Sequence, residues 1–174
     1  DGIKHTLRLR ALGIDTKSFL DSNDYSNTSQ QLLGEYLAQA YRGHWAVTAG
    51  VQGSASQMTS PLFSGDHSSA NLGGLLQVDY TRMRWDAHVG LRYEAFQIDD
   101  LEVYSRPVLR AGAHRAFGRA THLRASWAQG FRFPSIAELY SASAAGVLQV
   151  FPRPGLKPEQ GWTAELALRP AFKG

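Results

Sequence analysis

Residues 75–100 read LLQVDYTRMRWDAHVGLRYEAFQIDD, and apolar and polar side chains alternate along both halves of this stretch. In the second half, Val89 and Leu91 share one parity, whereas Asp86 and Arg92 share the other. Alternation over this length is typical of a β-strand with one apolar and one polar face. Because a tight break separates the two halves, the stretch predicts a hairpin of two long antiparallel strands.

The same alternation recurs along the chain and predicts eight strands. They lie at about residues 3–14, 30–41, 45–57, 71–82, 85–98, 103–117, 121–132 and 161–172. The second strand alternates least clearly, because Leu33 and Leu37 fall on its polar face. A length of roughly twelve residues exceeds the five or six that are usual in soluble sheets, and it suits a strand that crosses a bilayer at a tilt.

The connections between these strands are alternately tight and long. The tight turns fall near Gly43, Met83 and Gly118, and the long loops at about residues 15–29, 58–70, 98–102 and 133–160. A meander with its tight turns at one end and its long loops at the other is typical of bacterial outer-membrane barrels. The predicted fold class is therefore all-β: a segment of an antiparallel, up-and-down transmembrane β-barrel with short periplasmic turns and long extracellular loops.

Aromatic residues cluster near both ends of the predicted strands. Tyr41, Trp45, Tyr80, Trp85 and Phe117 lie beside the tight turns, and Tyr93, Phe96, Tyr104 and Trp162 lie near the long loops. Two aromatic belts are expected where a barrel crosses the two membrane interfaces. The alternative is that aromatic residues favour strand ends in any sheet.

The polar face carries charges of both signs, among them Arg8, Glu35, Arg92 and Glu165. In a wide barrel these residues line a water-filled interior. In a soluble β-sandwich they meet bulk water instead, and the apolar face packs on a second sheet. The alternation alone leaves both architectures open, whereas the strand lengths, the loop asymmetry and the aromatic belts favour the barrel.

The composition of the 174 residues narrows the function classes. A net charge of +3, with Lys and Arg spread along the chain, argues against nucleic-acid binding. The lack of cysteine excludes disulfides and thiolate metal sites. The sequence contains no run of about 18 apolar residues, so no transmembrane helix is predicted. Because no GxSxG, HExxH or phosphate-cradling glycine motif is present, we predict no enzymatic activity.

Two motifs carry a family resemblance. GFRFPSIAELY at residues 130–140 resembles the GFRAPS…ELY stretch of TonB-dependent outer-membrane receptors, and RPGLKPEQGWTAELAL at residues 153–168 resembles their NP-x-LKPE…ELGL segment. The order of these elements, which is strand, FR-x-P, long loop, LKPE and strand, also agrees with that family. The hairpin at residues 75–100 is similar to barrel sequences of the same family. The chain departs from the pattern at Phe133, Arg153 and Gly155, where a small residue, Asn, and Asp or Asn are usual.

The resemblance implies a receptor in the outer membrane of a Gram-negative bacterium that takes up a scarce nutrient, above all a ferric siderophore or another iron complex. Such receptors have a barrel of about 22 strands that is filled by a plug domain, and TonB supplies energy through the plug. Residues 1–174 are then expected to be a partial barrel domain that lacks the plug and the remaining strands. The expected partners are outer-membrane lipid, TonB through that plug, and a metal chelate; no resident cofactor is expected.

Two other functions remain open. The chain could be a passive outer-membrane pore or a small barrel closed by its own eight strands, in which case the first and last strands would pair. It could also be a soluble β-sandwich that binds a ligand. In that case Val47, Leu91 and Leu166 would be buried between two sheets.

Ligand-contact candidates are residues that lie at the long-loop end and either point inward or belong to a loop. They are Arg132, Tyr140, Arg153, Tyr104, Asp66 and His67. Arginines at this end would suit an anionic iron chelate through charge-assisted hydrogen bonds. The two motifs themselves are expected mainly to end strands, since Pro134 cannot donate to a β-ladder.

The remaining polar motifs are interpreted as structural. His88, His114 and His122 fall on the polar face and are expected to form hydrogen bonds in a wet interior. DSNDYSN at residues 21–27 has oxygen-bearing side chains at alternate positions, like a calcium-binding loop. It lacks the Gly and the closing Glu of an EF-hand, so a solvated loop is favoured. No catalytic residue and no metal site are predicted.

Overall fold

The computed structural model describes residues 2–20, 23–24, 26–63, 65–118, 121–145 and 148–170. The strands are β1 (Ile3–Thr16), β2 (Phe19–Leu20), β3 (Asn23–Asp24), β4 (Asn27–Arg42), β5 (Trp45–Ser60), β6 (Gly65–Arg82), β7 (Trp85–Ile98), β8 (Tyr104–Phe117), β9 (Thr121–Arg132), β10 (Ser143–Ala145), β11 (Leu148–Val150) and β12 (Glu159–Arg169). A 3₁₀-helix spans Pro61–Phe63, and helix α1 spans Ile136–Tyr140. Within the calcium-like stretch at residues 21–27, residues 21, 22 and 25 lie outside the described part of the chain.

The eight long strands form one antiparallel sheet in the order β1-β4-β5-β6-β7-β8-β9-β12. Each pairs with the next long strand along the chain, so the predicted all-β, up-and-down barrel segment is confirmed. The short strands form two small hairpins, β2-β3 and β10-β11, within the loops. In the described residues β1 and β12 stand at opposite edges and no ladder joins them, which argues against the alternative of a small barrel closed by its own eight strands.

One predicted long loop is absent. Residues 58–70 were expected to be irregular, but β5 continues to Ser60 and β6 begins at Gly65. The two strands pair without interruption, with Met58 opposite His67. Small polar side chains on both faces conceal the alternation there, while the backbone ladder needs no apolar side chain in order to continue. These strands are therefore longer than the membrane requires.

The apolar face of the sheet is not covered by any other layer of the described chain. Leu166 is 76% exposed, Leu91 is 43% exposed and Val47 is 38% exposed. A contiguous apolar surface of this extent is rare in a protein surrounded by water. The alternative of a soluble sandwich, which requires these residues to be buried between two sheets, is therefore contradicted. No helix of the described residues is long and apolar enough to cross a membrane.

We call the end of the sheet with the tight turns the inner end and the opposite end the outer end. Aromatic side chains surround the inner end. The rings of Trp45 and Tyr80 have centroids 4.7 Å apart. The guanidinium of Arg115 lies 4.7 Å from the ring centroids of both Trp85 and Phe117. Such amphipathic groups suit a membrane interface.

The outer aromatic group is smaller than expected. Tyr93 and Trp162 are exposed on the apolar face. Phe96 instead stacks on Phe133, with ring centroids 4.4 Å apart. Strand alternation puts Phe96 and its ladder partner Tyr104 on the polar face. The assignment of these two residues to a lipid-facing belt is therefore wrong.

The polar face carries a network of paired charges and hydrogen bonds. Arg8 donates to Glu35 across β1 and β4, and Arg92 contacts Glu94 along β7. In a barrel this face lines the interior. The charges are therefore paired with partners on the same or the neighbouring strand, on the face that is turned away from lipid.

Three histidines of this face, His88, His114 and His122, lie near its inner half. His114 Nδ1 lies 3.1 Å from an oxygen of Asp86, and His114 Nε2 lies 3.0 Å from Nδ1 of His122. The ring of His88 lies over Gly112, where a Cβ atom would be only 2.5 Å from the ring. Gly112 thus provides the space into which the His88 side chain packs.

The buried apolar residues of the described chain lie at the outer end. They are Phe63, Ile98, Ile136 and Leu139, which we call the mouth cluster. Ile98 ends β7, Phe63 ends the 3₁₀-helix, and the other two belong to α1. The only apolar core that the described residues form is therefore located where ligand contacts were expected.

Candidate ligand-binding mouth

Helix α1 begins at a capping box within the first family-like motif. The hydroxyl of Ser135 accepts a hydrogen bond from the backbone N–H of Glu138, 3.3 Å away. In return, Glu138 Oε2 accepts the backbone N–H of Ser135 at 2.8 Å. Two helix-start donors are satisfied in this way, so a five-residue helix can form directly after the buried Pro134.

Helix α1 packs onto the polar face at the outer end of the sheet. Ile136 and Leu139 are 7% and 3% exposed, against Phe63 and Ile98. Just after the helix, the backbone N–H of Ala142 donates to the carbonyl of Leu62 at 2.9 Å. The first part of the loop between β9 and β12, residues 136–142, therefore folds inward over the mouth.

Arg132 joins the two motifs that carry the family resemblance. Its Nη1 and Nη2 donate to the two carboxylate oxygens of Glu138 at 2.9 and 2.8 Å, a bidentate pair. Its Nε and Nη2 also lie 3.3 Å from the oxygens of Glu159 at the start of β12. FRFP, AELY and LKPE thus meet at one guanidinium, which defines the base of the loop.

The Arg132 contact also determines the charge state of Glu138. The hydrogen bonds from Arg132 and then from Ser135 lower the pKa of Glu138 to about 2, from an ordinary value of 4.5. Glu138 is thus ionised at neutral pH. Its negative charge neutralises much of the Arg132 charge, which reduces the attraction of Arg132 for an anionic ligand.

His67 connects three segments of the mouth. Its Nδ1 lies 2.8 Å from Oδ2 of Asp99, in the turn after β7, and its Nε2 lies 2.9 Å from the carbonyl oxygen of Phe63. The ring of Tyr140 stacks on the His67 ring, with centroids 3.7 Å apart and planes 12° apart. Asp99 also accepts the N–H of Ser68 at 2.7 Å and a hydrogen bond from Tyr140.

These groups lie beyond the hydrocarbon band. A tilted strand crosses it with about 9–11 residues, and counted from Tyr80 at the inner end that span finishes near residue 70 of β6. His67 is therefore at the water-exposed outer end, as are the turn that contains Asp99 and the helix that contains Tyr140.

His67, Asp99 and Tyr140 affect one another's pKa values. Burial opposes a charge on His67, but its hydrogen bonds to Phe63 and Asp99, and the charges of Asp99 and Asp66, outweigh burial and raise its pKa. Burial also opposes the charge on Asp99. The hydrogen bonds that Asp99 accepts from Ser68, His67 and Tyr140 outweigh burial and lower its pKa. Burial and the neighbouring Asp99 raise the pKa of Tyr140.

The contacts bring together some of the predicted ligand residues and leave others apart. His67 and Tyr140 stack on each other, whereas Arg132 belongs to the separate Glu138 contact. Arg153 is exposed, and its backbone N–H donates to the carbonyl of Leu139 at 2.8 Å. The other two candidates, Asp66 and Tyr104, lie near the outer ends of β6 and β8.

Two central residues of the mouth were missed at the level of sequence. The role of Glu138 could have been predicted from the sequence, since Ser-x-x-Glu is a capping-box pattern. Asp99 is a positive-φ residue in a tight turn, with φ of 45°, a conformation that Asp tolerates better than most residues. Its distance of 32 residues from His67 along the chain gave no signal of their contact.

A cavity of about 680 Å³ lies at the outer half of β1, β4, β5 and β6. Its lining includes Gln31, Ser56, Ser69 and Asp99. The hydroxyls of Ser56 and Ser69 lie 2.7 Å apart and hydrogen-bond to each other. Amide and hydroxyl groups of this kind can both donate to and accept from a polar ligand. Within the described ranges, no group of three or more His, Asp or Glu side chains could hold a metal ion.

Comparison with known families agrees with this architecture. The family model described as "TonB dependent receptor-like, beta-barrel" matches residues 4–174. The chain belongs to the TonB-dependent receptor-like β-barrel family. A search among curated proteins gave no match. The barrels of TonB-dependent receptors lie in the outer membrane of Gram-negative bacteria, and the family transports ligands rather than catalysing reactions.

Proposed function

We propose that this chain is part of the barrel of a TonB-energised outer-membrane receptor that imports a ferric siderophore or a similar iron complex. The observation that carries the proposal is the family match along residues 4–174. The plug domain that contacts TonB and the remaining barrel strands would lie outside these residues. The lipid-facing apolar surface is in keeping with this location.

The mouth supports a receptor more than an unobstructed pore. A passive pore benefits from an open entrance, whereas here α1 and the mouth cluster fold over the polar face. The contacts of Arg132 with Glu138 and of His67 with Tyr140 add to this packing and help to hold the described part of the loop between β9 and β12. Loops that close over a bound ligand recur among proteins, and a loop that lies over the polar face at the outer end is placed to do so.

The charges of the mouth suggest how an anionic chelate would be met. Arg132 is occupied by two carboxylates, so it contributes little free positive charge. Arg153 and Arg106 are exposed at the outer end and can donate charge-assisted hydrogen bonds to carboxylate or catecholate oxygens. We therefore propose Arg153 as the first ligand contact, with Tyr104, Tyr140 and His67 nearer the polar face. Asp66 follows the opposite parity of β6 from His67, so as a ligand contact it would act from the rim.

Iron uptake by cells tests this function. The full-length protein would be produced in an iron-starved Gram-negative host that lacks its own siderophore receptors. Radioactive iron would be supplied as a ferric catecholate or a ferric hydroxamate. We expect accumulation of at least one chelate that requires both the protein and TonB. Equal accumulation without TonB would contradict the proposal in favour of a passive pore, and no accumulation of either chelate would contradict the iron-complex ligand.

A further inference from the structure

The hydrogen bonds of His67 require two ring protons. Both partners of the ring are acceptors: the Asp99 carboxylate at 2.8 Å from Nδ1, and the Phe63 carbonyl at 2.9 Å from Nε2. A neutral imidazole has one N–H and one lone pair. It can therefore satisfy only one of these acceptors, whereas the imidazolium satisfies both.

Loss of one proton would weaken the site in a specific way. If Nδ1 keeps its hydrogen towards Asp99, the lone pair of Nε2 faces the Phe63 carbonyl oxygen and repels it. The Tyr140 ring, whose centroid lies 3.7 Å from that of the imidazole, would also lose the attraction of a π-face for a cation. A half-satisfied polar network stabilises less than a complete one.

The segments joined by His67 are those that close the mouth. Phe63 belongs to the 3₁₀-helix, Asp99 lies in the β7-β8 turn, and Tyr140 is the last residue of α1. Tyr140 also packs against the mouth cluster, and its hydroxyl bonds to Asp99. The protonation of one side chain therefore affects the contact that holds α1 on the sheet.

We propose that His67 is a proton-operated latch: when protonated it holds the end of α1 against the outer end of the sheet, and when neutral it loosens that contact and leaves α1 held by the mouth cluster. The latch itself depends only on the contacts of His67, whereas its consequence for uptake rests on the proposed function. In that case the latch would regulate access of the ligand to the cavity below, with freer access at higher pH.

The charged groups around His67 agree with the direction of the switch. They are Asp99 from the β7-β8 turn, Asp66 from β6 and the ionisable Tyr140 from α1. The opposite position on β5 is the uncharged Met58. Because these partners raise the pKa of His67 above 6.5, the latch is complete below pH 6.5 and is lost as the pH rises through the higher, folded-state pKa.

A single spin label can follow the position of α1. The chain has no cysteine, so Ala137→Cys places one label on the exposed side of α1 within these residues. Label mobility would be recorded by electron paramagnetic resonance for the full-length protein in detergent micelles between pH 5 and pH 9. We expect the label to be less mobile at pH 5 than at pH 9, with a midpoint above pH 6.5.

Variants in the labelled background assign the midpoint to the latch. His67→Gln should abolish the pH dependence, because Gln does not titrate. Asp99→Asn should shift the midpoint to lower pH, because it removes the carboxylate that stabilises the imidazolium. The control His44→Gln, in the turn at the inner end, should keep the original midpoint.

The result that overturns the latch is a label whose mobility is independent of pH, or a midpoint that His67→Gln leaves unchanged. If His67→Gln does not fold, Asp99→Asn decides alone, and an unchanged midpoint in that variant contradicts the proposal. No ligand is needed for these measurements. The latch can therefore be contradicted while iron uptake is found, or confirmed while no iron uptake is found, so the two proposals are tested separately.

Discussion

At the inner end of the sheet, two-residue turns at 43–44 and 83–84 join neighbouring strands, and the apolar side chains beside them face outward. At the outer end, by contrast, three segments that are distant along the chain meet in the mouth cluster. The wall is thus stabilised by its β-ladders and by lipid, whereas the mouth is stabilised by a small core and a few polar contacts. The wall can remain intact while the mouth changes conformation, which is what a gated receptor requires.

The largest effect is expected from a charge on the lipid-facing wall. Val51→Arg places a guanidinium on the apolar face of β5, where Val51 is 55% exposed. The expected loss is about 2–4 kcal/mol of the free energy of unfolding, measured by urea titration in lipid vesicles. The neighbouring control Gln52→Arg, on the polar face, should cost far less. Equal losses would contradict the assignment of the two faces.

The next effect contrasts one substitution in the two regions. Leu139→Ala opens a cavity in the mouth cluster, where Leu139 is 3% exposed, and should cost about 2 kcal/mol of local stability. Leu72→Ala, on the apolar face and 66% exposed, should cost less, because lipid fills the space that the side chain leaves. Hydrogen exchange of the mouth amides would report the difference. If Leu139→Ala left the mouth amides as protected as Leu72→Ala does, the mouth would not have a core of its own.

The two regions also differ in how much of their structure could be predicted from the sequence. The hairpin of residues 75–100 was predictable because its alternation and its turn are local. The continuation of β5 and β6 through residues 58–70 was not, since Ser, Gln and Thr on both faces leave no alternation to detect. The mouth depends on contacts such as His67 with Asp99 and Arg132 with Glu159, which no local pattern encodes. His67 and Tyr140 were identified as candidates, but their stacking required the fold.

A smaller effect is expected from the helix cap. Ser135→Ala removes the acceptor of the Glu138 N–H and should cost about 1 kcal/mol of α1 stability. The amide of Ser141, which donates to the carbonyl of Ala137, should then exchange about fivefold faster. Ser141→Ala is the control, because that residue contributes to the helix end through its backbone. An unchanged exchange rate in Ser135→Ala would remove the capping box from the account.

The smallest effect is a titration that leaves the wall untouched. Because the pKa of Glu138 is lowered to about 2, its contribution to the mouth is complete above pH 4.5 and is lost as the pH falls through about 2. The carboxyl carbon-13 shift of Glu138 should therefore titrate near pH 2. In Arg132→Ala the midpoint should move up towards 4.5. A wild-type midpoint near 4.5 would show that Arg132 and Glu138 are not paired in solution.

The orientation of the wall can be measured directly by placing single spin labels at successive positions from Val89 to Tyr93 on β7, with the protein in lipid vesicles. Collisions with oxygen report contact with lipid, and collisions with a water-soluble nickel complex report contact with water. We predict a period of two, in which labels at positions 89, 91 and 93 collide mainly with oxygen and labels at 90 and 92 mainly with nickel. Equal accessibility to nickel at all five positions would contradict the claim that one face of this sheet meets lipid and the other an aqueous interior.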